Sequence, residues 1–318
     1  MEIKYVSQVN FDEIDNLSFD YFICAAGYES RCKHSYELCK DKINVKNKIC
    51  FSFQDRQILS KKENDTFFKQ NNFKIIAIQN EQIDWFVFFF QNLFDGITSE
   101  EILIFLDYSS MTSIMYGAIL KYFNNCDKDY GVQIFFSYTH AKFTAAIKSN
   151  PLFFNHPIPL FDPIQSTDQR IALLVGLGYE EDKALGLYEY FQNDSEDLYL
   201  FLTQNNKFYN EVVKSNEHIL NITNPNNIIR YDLENLSPLI NTLDSLVNYL
   251  INNNYRVVLA PIGPKIFNMI SLVINLYHKN ITTYRLSDGN KGNPIEKIAD
   301  ESKYPTILHV NLKSNIYP

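Results

Sequence analysis

The chain has 318 residues, 46% of them hydrophobic and 21% charged, with a formal net charge of −8. That apolar content fills a core and excludes wholesale disorder, while five cysteines, odd in number, do not make a disulfide scaffold. Basic residues number 29 against 37 acidic ones, with no basic block, which excludes non-specific DNA or RNA binding through clustered Lys and Arg.

The length suggests about two domains. The N-terminus, MEIKYVSQVNFDEID, is too polar and acidic for a signal peptide. The most apolar run, 85–94, falls well short of the roughly 20 residues that span a bilayer. A cytoplasmic protein with no membrane partner is expected. The cysteines form no CxxC pair, so no metal site is expected, and they read as buried thiols, with a catalytic thiol the lesser alternative.

In chain order, residues 21–31 read YFICAAGYESR, an apolar run ending in Gly27-Tyr28-Glu29. A helical pattern follows over 30–42. Strands are predicted at 48–53 and 73–78, a helix at 82–94 and a strand at 102–106. That strand ends in Asp107-Tyr108-Ser109-Ser110-Met111, then a helix over 112–123 and a strand over 133–138. Residues 150–170 hold four of the eleven prolines and read as an extended connector or edge segment. Residues 171–182, IALLVGLGYEED, then repeat the run into Gly-Tyr-Glu at Gly178–Glu180. Helices are predicted at 181–192, 207–214 and 238–252, and strands at 198–203 and 228–232. A strand at 257–260 ends in Pro261-Ile262-Gly263-Pro264-Lys265, followed by a helix at 266–277 and a strand at 281–286.

Continuous apolar runs bounded by polar turns suit buried parallel strands, and their alternation with helices argues an α/β fold. The recurrence reads as an internal duplication: two tandem Rossmann-like parallel-sheet units, over 1–150 and 171–318, joined by the connector 151–170. Gly27 would then match Gly178, and Asp107 would match Pro261.

In an open parallel sheet, ligands bind outside the carboxyl ends of the strands. Two turns are placed there in the first unit. In one, Gly27 and Tyr28 allow close backbone approach, Glu29 offers a carboxylate for a sugar hydroxyl or acid/base work, and Arg31 offers a fork for phosphate. In the other, Tyr108, Ser109, Ser110 and Thr112 bring hydroxyls to a helix start, where free amides favour an anion. Asp107 beside them is expected to be partly exposed and to face a sugar hydroxyl, a base edge or a metal. Lys142, Lys265 and Arg285 are further countercharges, and Gly263 permits close ligand approach. Asp55, Arg56, His140 and Asp288 are weaker candidates. The opposite reading makes both turns plain strand-to-helix connections, with Glu29 paired to Arg31 or favouring the helix dipole in one, and Asp107 a turn residue before a Ser-capped helix in the other. Neither GxxxxGK[ST] nor GxGxxG occurs, so no cofactor is assigned.

The strand, small-residue turn and helix at 107–111 and 261–265 resemble the nucleotide-binding turn of CARF domains, and two such units resemble the SAVED arrangement. The family's Gly-Thr-Lys turn is Tyr-Ser-Ser-Met in the first half and is approached by Gly263-Pro264-Lys265 in the second. The resemblance implies a sensor of cyclic oligonucleotides in prokaryotic defence. Three classes of function remain open at this point. One is a nucleotide-type ligand-binding sensor that uses a composite cleft and signals to a protein partner. The second is an enzyme acting on a nucleotide or nucleotide sugar through Glu29 and Asp107. The third is a structural subunit with degenerate clefts.

Overall fold

A computed structural model describes residues 1–54, 57–79, 82–144, 154–163, 168–191, 197–204, 208–278, 280–287 and 295–314. The chain divides into two compact units. The first is Met1–Lys142 together with Pro294–Pro318, and the second is Phe143–Asn293.

In the first unit, strand β1 (Glu2–Val9) leads to β2 (Ser18–Ala26), α1 (His34–Cys39), β3 (Asn44–Phe53), α2 (Lys61–Gln70) and β4 (Lys74–Ile78). Then come α3 (Ile83–Phe94), β5 (Glu101–Asp107), α4 (Ser113–Asn124) and β6 (Gly131–Tyr138). In the second unit, β7 (Phe154–Pro157) precedes β8 (Ile171–Gly176), α5 (Lys183–Phe191), β9 (Leu198–Gln204), α6 (Tyr209–Ser215), α7 (Glu217–Ile222) and β10 (Ile228–Asp232). There follow α8 (Ser237–Asn252), β11 (Arg256–Pro261), α9 (Lys265–Tyr277) and β12 (Ile281–Ser287). The last strand, β13 (Thr306–Lys313), belongs to the first unit.

The first sheet runs β1-β13-β6-β5-β2-β3-β4 and the second runs β10-β9-β8-β11-β12-β7. Five strands in each are mutually parallel: β4, β3, β2, β5, β6 and β10, β9, β8, β11, β12. Counted along the chain, both orders are 3-2-1-4-5, the Rossmann-like order that reverses between the first and fourth strands. Each fifth strand carries an antiparallel neighbour, β13 in one sheet and β7 in the other. The α/β fold with two mostly parallel sheets is as the sequence pattern predicts.

Helices lie on both faces. In the first unit Tyr36 and Cys39 of α1 and Phe68 of α2 pack with Phe22, Cys24 and Ala26 of β2. On the other face Phe51 of β3 meets Phe86 and Phe90 of α3. In the second unit α5, α6 and α7 bring Leu187, Val212 and Ile219 onto Leu173 and Val175, while α9 sets Phe267 against Phe201. The first core is rich in aromatic rings and the second is aliphatic. Both central strand pairs are apolar on both faces because helices cover both.

The boundaries differ from those the sequence suggests. The second unit does not run on to residue 318. Strand β13 is buried along nearly its whole length and finds its two neighbours, β1 and β6, in the first sheet. A tandem repeat leads one to expect that chain order is spatial order, and here the C-terminal segment breaks that rule. Within the connector, residues 154–157 form the edge strand β7, in keeping with its prolines. Asp55, Arg56 and Asp288 lie outside the described residues. Among the described residues no helix is long and apolar enough to cross a membrane, and no cluster of His, Cys, Asp and Glu could hold a metal ion.

Candidate functional site

Strands β2 and β5 are neighbours at the reversal of the first sheet, so the turns after them, 27–31 and 107–112, leave the same rim side by side. A Cβ on Gly27 would stand 3.8 Å from Ser110 Cβ, so the two turns touch at ordinary contact distance. These are the two turns that the sequence reading brings together.

Their side chains divide into two groups. Asp107 is buried, not partly exposed. Its Oδ1 accepts the Ser109 N–H at 2.9 Å and the Ser109 hydroxyl, and the same Ser109 Oγ accepts the Thr139 N–H at 2.8 Å. Asp107 therefore folds its own turn and ties it to the end of β6. Tyr108 is also buried, with its ring between those of Tyr116 and Tyr138, and burial pushes its phenol well up.

Arg31 likewise has a different setting from that of a phosphate fork at a cleft mouth. It is only 5% exposed. Its guanidinium donates to Glu29 Oε2 at 2.7 Å and, at 3.2 Å each, to Tyr138 Oη, Thr139 O and Ser109 O. Burial works against its charge, but Tyr138 and Glu29 outweigh that and hold its pKa above the usual value. One planar fork thus joins the exits of β2, β5 and β6. Glu29, at 18% side-chain exposure, is the less buried partner of this pair.

Two hydroxyls of the rim that lack partners among the described residues lie at the start of α4. Thr112 is the N-cap of this helix in an extended conformation, yet its side chain makes no capping bond. Thr112 Oγ1 and Ser110 Oγ are buried atoms with no hydrogen-bond partner among the described residues. An unsatisfied buried hydroxyl costs about 1–3 kcal/mol, and the first amides of any helix lack intrahelical partners. Of the two residues, Ser110 lies next to Gly27.

Asn64 of α2 is a residue that the sequence reading misses. It is fully buried, and its Nδ2 donates to Gly27 O and Glu29 O, both at 3.0 Å. The second unit repeats the device: Asn216 Nδ2 donates to Gly178 O at 2.7 Å. These pairs are 37 and 38 residues apart in sequence. A buried Asn three elements downstream thus holds each Gly-Tyr-Glu turn, a correspondence that polar loop-like sequence conceals.

The second switch point, between β8 and β11, is built differently. A Cβ on Gly263 would stand 2.4 Å from Leu177 O, and one on Gly178 would stand 2.9 Å from Ile262 O. Gly263 permits the approach of the neighbouring backbone, which fills the space expected for a ligand. Lys265 opens α9 and is half-buried, and Arg285 sits on β12 opposite His156. Lys142 is exposed at the end of the first unit's chain segment. Lys265 and Arg285 thus belong to the second unit and Lys142 to the first.

All five cysteines are free and buried, and burial pushes the Cys24, Cys32 and Cys39 thiols up. A raised thiol supplies little thiolate, so these are packing residues. The chain matches no known protein family and no curated protein.

Proposed function

We propose that the first unit binds a nucleotide-type small molecule at the β2–β5 switch point, and that the chain acts as a sensor signalling to a protein partner. The observation that carries this reading is the pair of buried, unpartnered hydroxyls, Ser110 Oγ and Thr112 Oγ1, at the start of α4. A phosphate or ribose hydroxyl placed there would satisfy them and use the helix amides. The 3-2-1-4-5 order supports the same location. A cyclic oligonucleotide is the ligand implied by the resemblance to CARF and SAVED domains.

Catalysis by Glu29 and Asp107 has less support. Asp107 is buried with Oδ1 committed to its own turn, and Glu29 is paired with Arg31. One carboxylate oxygen of each is thus held by a partner within the rim. Thermal shift with a panel of nucleotides, nucleotide sugars and cyclic oligonucleotides tests the proposal. A ligand at 100 times its Kd should stabilise the protein by about 2.7 kcal/mol. The stabilising compound should be recovered unchanged after incubation. Turnover would favour the enzyme, and no stabilisation by any compound would favour a structural subunit.

A further inference from the structure

Residues 295–300 return to the first unit as irregular chain and lie along the same rim. Arg31 N–H donates to Lys297 O at 3.3 Å, Lys142 N–H to Ile298 O at 2.8 Å, and Asp300 N–H to His140 O at 2.9 Å. Ala299 bridges Ala141 in antiparallel fashion. Arg31 follows β2, and residues 140–142 follow β6. Strand β5 lies between those two strands, so this segment spans the β5 exit from which the 107–112 turn emerges.

One side chain fastens the segment on the β2 side. Glu296 Oε1 accepts the Ser30 N–H at 2.6 Å, and its Oε2 accepts the Ser60 hydroxyl at 3.4 Å. Ser60 N–H in turn donates to Tyr28 O at 3.2 Å, so Glu296 joins the 27–31 turn to the start of α2. The half-buried Lys297 is close enough to Glu29 and Arg31 to feel both charges, and burial is the main cause of its lowered pKa. Glu296 attaches the segment through a charge-assisted bond from its carboxylate to the Ser30 main-chain amide. It also places a carboxylate on the rim beside the 27–31 turn.

We infer that residues 295–300 form a strap over the β5 exit, latched by Glu296 on Ser30 and Ser60, and that an anionic nucleotide gains the crevice by releasing this latch. The gating part rests on the function proposed above, whereas the latch itself does not. Strap opening is a local unfolding step, and its free energy adds to the cost of binding.

Amide hydrogen exchange in the unliganded full-length protein tests the latch. In Glu296→Gln, which keeps the shape and removes the charge, the Arg31 and Lys142 amides should exchange about tenfold faster. Amides of β9 and α9 serve as internal controls and should be unchanged. Ser60→Ala, which leaves the strap sequence intact, should give a smaller change in the same direction. Unchanged protection of Arg31 and Lys142 in both variants would overturn the latch. For the nucleotide that stabilises the wild type, Glu296→Gln should bind about tenfold more tightly. Weaker binding would make Glu296 a ligand contact and overturn the gate. If no nucleotide binds either protein, the proposed function and the gate fail together, and the exchange result alone decides the latch.

Discussion

Removing the Asn64 amide should destabilise the first unit more than its place in a polar stretch of sequence suggests. Asn64→Ala removes two hydrogen bonds from a fully buried position. Glu29 O keeps the Cys32 N–H at 3.3 Å, so its loss is that of one bond, about 0.5–1.5 kcal/mol. The Gly27 carbonyl loses its side-chain donor inside the turn, at about 1–3 kcal/mol. Asn64 Oδ1 is itself a buried atom without a partner, and deleting it returns part of that cost. The net expectation is a loss of about 2–3 kcal/mol. Urea unfolding followed by the fluorescence of Trp85, the single tryptophan, reads the first unit directly. A loss below about 0.5 kcal/mol at unchanged slope would refute the claim that Asn64 holds the turn.

The two switch points should answer a methyl group differently. Gly263→Ala sets a Cβ 2.4 Å from a backbone oxygen and should cost at least about 1–3 kcal/mol, whereas Gly27→Ala meets nothing nearer than 3.8 Å and should stay within about 1 kcal/mol. Equal thermal stabilities for the two variants would contradict the difference in packing. His309 supplies a pH test. It stacks on Phe135 at 4.2 Å, and burial is the main cause of its lowered pKa, with Glu101 opposing. The unfolded chain takes up this proton near pH 6.5 and the folded chain only at lower pH, so its stabilising contribution is present above about 6.5 and is lost on acidification. His309→Phe should therefore flatten the stability profile between about pH 7 and 5 relative to the wild type, and superimposable profiles would exclude His309 as a contributor.

The central strands were legible because their environment is uniform. Runs such as FICAA, ILIFL, LLVG and VVLA are apolar on both faces because helices cover both. The Gly263 turn was legible because few residues other than glycine accept a neighbouring backbone at 2.4 Å, a demand that Gly27 does not face. Strand β13 escaped notice because His309 and Asn311 interrupt its apolar pattern, although both are buried. Its pairing with β1 also spans nearly the whole chain, a distance that no local pattern encodes. Helix α2 begins KKENDTFFKQ, which reads as solvated, yet Lys61 and Asn64 are buried in polar contacts with Ser52 and the 27–29 turn. Arg31 was read as a fork for phosphate, but here three strand exits and Glu29 supply acceptors for its donors. Glu296 reaches Ser30 across 266 residues of sequence. The two turns were therefore readable as strand exits on one rim, while the burial of Asp107, Tyr108 and Arg31 in its frame was not.

The most direct test of the central claim is a calorimetric titration. The most stabilising nucleotide is titrated into the wild type and into a Ser110→Ala, Thr112→Val double variant. That variant removes both unpartnered hydroxyls while leaving the Asp107–Ser109 turn and Arg31 intact. The account predicts one saturable site in the wild type and at least about tenfold weaker binding in the variant, a difference of about 1.4 kcal/mol, with thermal stability equal or higher. Equal affinities in the two proteins, or no saturable binding of any nucleotide to the wild type, would contradict it.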